Sequence, residues 1–89
     1  KAEFFRIKGN ELLKSKENGK AVALYTEGLL KCPNSYQLLC NRAAAYTLLN
    51  SIDHSIEDLT KAVELNPAFI AGWTRLGFSH LYQGNAVES

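Results

Sequence analysis

The sequence predicts an all-α protein of stacked antiparallel helical hairpins, and three observations carry that reading. A 34-residue period separates Pro33 from Pro67, links Gly9, Ala43 and Gly77, and links Phe5, Leu39 and Trp73. Between the prolines, apolar residues recur three and four apart, which is the spacing of one helix face. Each small residue of the period follows a large one by four positions, so both lie on the same side of a helix. Two hairpins, 2–35 and 36–69, followed by the first helix of a third over 70–89, account for the chain.

Taken in order, residues 2–15 read as the first helix, with Phe5, Gly9 and Leu12 on one face. Asn18-Gly19 is a strong turn signal, so 16–19 is expected to turn and 20–31 to fold back with Ala21, Leu24, Tyr25 and Gly28 inward. Pro33 ends that helix, and Ser35 is placed to cap the next. Tyr36 to Leu49 follows, rich in Ala and Leu, with Asn41 set inside it against its propensity. A residue so placed has an amide that needs a partner. Asn50-Ser51 turns the chain into a helix over 52–65, which Asn66-Pro67 stops. Residues 69–82 form the last full helix, Gly84 breaks it, and a sixth begins near Asn85-Ala86-Val87. Glycine inside a helix costs ~1 kcal/mol relative to alanine. Gly9, Ala43 and Gly77 are therefore expected to admit a close partner helix, beside which Phe5, Leu39 and Trp73 fill space.

Composition narrows the function. With 46% hydrophobic and 21% charged residues the chain is an ordinary globular domain, and a net charge of +1 lacks the basic excess of a general nucleic-acid binder. No run approaches the roughly 18 apolar residues of a membrane span, and the opening residues do not show a signal-peptide pattern. Cys32 and Cys40 read as reduced thiols of an intracellular, cytoplasmic protein, with a disulfide between them as the alternative. His54 and His80 have no partner at metal-ligand spacing, so neither metal nor cofactor is expected. No nucleophile with a base, no paired acids and no phosphate loop is visible, so the segment is not read as an enzyme. Beginning at Lys1 and ending at Ser89, it looks like a piece of a longer protein.

The 34-residue hairpin with a large residue, a small one four later, an aromatic in the second helix at Tyr25 and a closing proline resembles the tetratricopeptide repeat. His80 and Leu59 stand where that family has aromatics, and Asn18 where it has a tyrosine. The resemblance covers essentially the whole chain and implies a right-handed superhelix whose first helices line a concave groove. From the repeat register, Arg6, Asn10, Leu13, Lys14, Asn41, Ala44, Thr47, Leu48, Arg75 and Phe78 face it. Arg6 and Asn10 share a face, and Asn41 and Arg75 hold equivalent positions in neighbouring repeats, across a gap of roughly 8 to 10 Å. Guanidinium and amide donors converge with Glu3 as the acid nearby, which suits a carboxylate.

That constellation resembles the carboxylate clamp of tetratricopeptide co-chaperones, which grip the C-terminal peptides of the seventy- and ninety-kilodalton heat-shock chaperones, ending Glu-Glu-Val-Asp. Arg6, the Gly9-Asn10 pair, Asn41-Arg42 and Arg75 match its pattern, and Ala71 stands where it has a lysine. The wording of Asn41 to Tyr46 and Gly72 to Gly77 is most similar to the small glutamine-rich co-chaperone type. The resemblance implies a chaperone-binding adaptor. Two other readings compete with it: a scaffold or oligomerisation segment that packs a neighbour's helix, and the targeting module of a larger enzyme. Each basic residue alone could be a solvated helix charge, whereas the four-residue set spans three repeats. Leu13, Leu48 and Phe78 read as groove wall or core. Finally, Leu76, His80 and their neighbours are expected to leave an apolar C-terminal face through which copies self-associate.

Overall fold

The computed structural model describes the backbone of residues 2–88 and the side chains of residues 3–81. It comprises five helices: α1 (Ala2–Lys14), α2 (Asn18–Lys31), α3 (Tyr36–Leu48), α4 (Ile52–Leu65) and α5 (Ile70–Glu88). Each packs on its sequence neighbour, and α1 also lies on α3. The first helices of the two complete hairpins, α1 and α3, are thereby brought side by side.

The turns differ from their sequence signals in an instructive way. Asn18 already belongs to α2, and Lys16 is the residue that turns, with φ of 64°. The amide of Glu17 donates to Leu12 O at 2.8 Å and that of Lys16 to Leu13 O at 3.0 Å, the paired bonds of a left-handed helix stop. Thirty-four residues later Asn50, with φ of 66°, does the same: Ser51 donates to Tyr46 O at 2.8 Å and Asn50 to Thr47 O at 3.0 Å. The period thus governs backbone geometry where the turn residues themselves differ. Ser35 caps α3 as expected, its hydroxyl accepting from the Leu38 amide at 3.3 Å.

Gly84 does not break α5, which continues to Glu88 without a second helix starting near Asn85. A lone glycine lowers helix stability but keeps its N–H and clashes with nothing, so it stops a helix only where a left-handed residue or a proline follows.

The core has two parts. Ala21, Tyr25, Leu38 and Ala45 are fully buried, with Phe5, Leu12, Leu13, Val22 and Leu29 packed around them. Cys40, Ala43 and Leu59 form the second cluster, flanked by Phe69 and Leu76. Burying each large side chain contributes roughly 1.5 to 3 kcal/mol. The small residues act as expected in the first hairpin, where a Cβ on Gly9 would run into the Tyr25 ring and one on Gly28 would meet Phe5 Cβ at 2.8 Å. Gly77 departs from that expectation: nothing described lies within 4 Å of where its Cβ would be. Trp73 beside it is 51% exposed, its indole N–H donating to Pro67 O at 2.8 Å. Leu76, expected on the open face, is instead half-buried against the second cluster. The uncovered face is made by Ile70, Trp73 and Gly77.

Candidate functional site

Helices α1, α3 and α5 carry the sequence-predicted residues, which fall into two groups. On α1, Arg6 lies within 3.4 Å of Glu3 in an exposed ion pair, a contact that high dielectric makes weak. Asn10, one turn on, accepts a 2.6 Å hydrogen bond from the Tyr25 hydroxyl through its Oδ1. Burial pushes the Tyr25 phenol up to about 12, with the nearby Arg6 cation pulling the other way. Tyr25 therefore stays a neutral donor. Lys14 is exposed and forms no ion pair among the described residues. Leu13 turns out to be half-buried against the first core cluster, so it joins α1 to α3 as much as it lines the groove.

The second group meets at the junction of α3, α4 and α5, where Ala44, Thr47, Leu48, Arg75 and Phe78 surround a cavity of about 260 Å³. Leu48 and Phe78 are exposed at its rim. Arg75 has no acidic partner among the described residues, although its charge reaches Cys40, whose buried thiol is pushed up by desolvation and drawn back by that guanidinium. The Asn41 side-chain amide, half-buried on α3, likewise makes no hydrogen bond among the described residues. Arg75, a guanidinium with no acidic partner among the described residues, lines this mainly apolar cavity, and such a group can hold a carboxylate beside an adjoining apolar side chain.

Three features were missed in the sequence. Arg42, grouped there with Asn41, points away from the groove: its Nε and Nη2 donate to Asp58 Oδ2 at 2.7 Å and Oδ1 at 2.8 Å, and its Nη1 to Thr26 Oγ1 at 3.1 Å. That bidentate pair raises the Arg42 pKa above its usual value and ties α3 to both α2 and α4. The signal was there, since Arg42 and Asp58 are separated by the same 16 residues as Gly9 and Tyr25, which meet across the first hairpin. The Tyr25 to Asn10 bond was the second omission. The third is a buried hydroxyl chain at the cavity floor: Thr47 donates to Ala43 O at 3.0 Å, Ser55 lies 2.9 Å from Thr47, and Ser79 lies 3.3 Å from Ser55.

Among the described residues no group of three or more His, Cys, Asp or Glu could hold a metal, and no helix is long and apolar enough to cross a membrane.

Comparison with known proteins follows the same lines. No family model matches the chain. The small glutamine-rich tetratricopeptide repeat-containing protein 2 of Saccharomyces cerevisiae is 33% identical over 89 residues, all of this chain and 26% of that protein. Indeed the chain spans between 12% and 26% of the length of the first curated relatives it matches. Among solved structures, the Sgt2 TPR domain from Aspergillus fumigatus superposes with a TM-score of 0.91 at 31% identity, over 94% of this chain and 56% of that one. The TPR2B domain of yeast Sti1, in its complex with pHsp70, gives 0.90 at 30% identity, over 98% of this chain and 70% of that one. The large-small spacing, the paired left-handed turns and these likenesses agree: the chain belongs to the tetratricopeptide-repeat family, and is similar to the domains of small glutamine-rich and Sti1-type co-chaperones.

Proposed function

We propose that this domain is a non-catalytic, cytoplasmic adaptor that binds the acidic C-terminal tails of heat-shock chaperones, of the Glu-Glu-Val-Asp type. The observation that carries the reading is Arg75: a guanidinium without an acidic partner among the described residues, lining an apolar cavity next to Ala44, Thr47, Leu48 and Phe78. Arg75 and Asn41 are its assigned contacts to the terminal carboxylate, with Arg6 and Asn10 completing the polar side and Leu13 the wall. The complex of the yeast Sti1 domain with pHsp70 supports the choice of partner. Ala71, exposed one turn before Arg75, leaves that side of the groove with one cation fewer than the family pattern, so the grip on upstream acidic residues is weaker here.

The test is titration with a chaperone-tail peptide ending Glu-Glu-Val-Asp, as the free acid and as the C-terminal amide. Free acid is expected to bind and amide to bind at least about tenfold more weakly, since a hydrogen bond to a charged group contributes roughly 1.5 to 3 kcal/mol. Arg75→Ala and Asn41→Ala should each reproduce that loss on the free acid. Equal affinity for the two peptide forms would overturn the reading in favour of a groove that packs a helix or other internal segment.

A further inference from the structure

We infer that Tyr25, from beneath the groove, is a positioning residue that fixes which way the Asn10 amide faces, so that Asn10 offers its NH2 group and not its carbonyl oxygen to a bound carboxylate. The inference rests on the reading of the groove given above and concerns how one of its donors is set.

An asparagine side chain carries an acceptor and two donors at nearly identical positions. Towards a carboxylate the two orientations have opposite sign, because the NH2 attracts it and the carbonyl repels it. In a solvated asparagine nothing selects between them. Here the Tyr25 hydroxyl does. Its ring is fully buried, and a buried hydroxyl left without an acceptor costs free energy that the fold avoids. The charged group beside it is Arg6, and a guanidinium has no acceptor to give. The phenol proton therefore goes to Asn10 Oδ1, at 2.6 Å. With its carbonyl so engaged, Asn10 has its NH2 left over, and that group has no partner among the described residues.

The neighbouring residue makes the arrangement fit. Gly9 gives up its side chain to the Tyr25 ring, since any Cβ there would collide with it. Gly9 seats the ring and Asn10 receives its hydroxyl, so the two adjacent residues answer to one tyrosine. The second hairpin has no such device. Ala43 and Ala44 stand where Gly9 and Asn10 do, and Leu59, which stands where Tyr25 does, has no hydroxyl.

Tyr25→Phe keeps the ring under Gly9 and removes only the oxygen. With the 89-residue chain and the free-acid Glu-Glu-Val-Asp peptide, it is expected to weaken binding about fivefold while leaving the circular dichroism unchanged. In an Asn10→Ala background the same change should have no further effect on binding, because there is no amide left to orient. Asn10→Asp tests orientation without touching Tyr25: a carboxylate still accepts the phenol proton but shows the groove a negative oxygen. It should therefore bind the peptide less well than Asn10→Ala. The inference is overturned if Tyr25→Phe costs the Asn10→Ala protein as much as it costs the wild type, if Tyr25→Phe binds as well as the wild type, or if Asn10→Asp binds as well as the wild type. Failure of the underlying reading shows separately, in wild-type protein that does not distinguish free acid from amide.

Discussion

The first helix and the last carry the same device, a large aromatic followed four residues later by glycine, and meet different fates. Around Phe5 and Gly9 the device is filled: Gly9 is buried and the Tyr25 ring lies where its side chain would be. Around Trp73 and Gly77 it is empty, with the indole half exposed and nothing described near the glycine. Sequence periodicity therefore specifies a docking face, whereas burial depends on whether a second helix is present to occupy it. The middle hairpin is filled as well, with Ala43 buried in a cluster with Leu59, and it adds an ion pair at its back.

Substitutions should separate the three repeats, and the middle one should respond most. The Arg42 and Asp58 side chains are only 19% and 8% exposed, so Asp58→Ala leaves a guanidinium poorly solvated and unpaired. A loss of about 3 to 5 kcal/mol in urea unfolding is expected; under 1 kcal/mol would mean that water already screens the pair. Next in size is Gly9→Ala, which forces a methyl group into the Tyr25 ring and should cost about 2 to 3 kcal/mol. Gly77→Ala is its counterpart and should stabilise by up to ~1 kcal/mol, because it gains helix propensity and meets nothing. If the two glycine variants both destabilise, the Gly77 face is covered in solution, as expected if two copies associate through it.

Alkaline titration offers a comparable effect within the first hairpin. Burial pushes the Tyr25 phenol up to about 12 in the fold, against about 10 for an ordinary tyrosine in the unfolded chain. Its folded pKa is the higher one, so its contribution is intact below pH 10 and is lost as pH rises towards 12, a difference on the order of 2 kcal/mol. Urea midpoints across that window should fall more for the wild type than for Tyr25→Phe. A gain as small as that at Gly77 is expected at the turn: Lys16→Gly relieves a left-handed lysine and should stabilise by about 1 kcal/mol, read as a shift in urea midpoint without change in slope.

These residues also show what the sequence could and could not convey. The hairpins were legible because the large, small and proline positions recur, so each is read against its equivalents. Position within a turn was not: Asn18-Gly19 is the stronger local signal, yet Lys16 takes the left-handed conformation because the bonds back to Leu12 and Leu13 end the helix there. Gly84 misled for a related reason, since propensity alone does not terminate a helix. In the site, spacing assigns Arg6, Asn10, Asn41 and Arg75 to repeat positions, but the hydrogen bonds made by Asn10 and Arg42 depend on residues 15 and 16 positions away. Pairwise chemistry at such distances is visible only once the hairpin geometry is known.

The chain of hydroxyls at Thr47, Ser55 and Ser79 has a consequence for how freely repeats of this kind can be exchanged. One period earlier the same three positions are Leu13, Ala21 and Ala45, and there the junction is wholly apolar. The two junctions share a shape but speak different chemical languages. A helix pair moved from one to the other would set an alanine opposite a hydroxyl that had lost its partner, or a serine among hydrocarbon. Ser79 sits 3% exposed with Ser55 within 3.3 Å, so α5 is addressed to α4 by polarity as well as by fit. Identical backbones are thus kept in a fixed order along the stack, and a designer shuffling these modules would have to carry the hydroxyls along as a set.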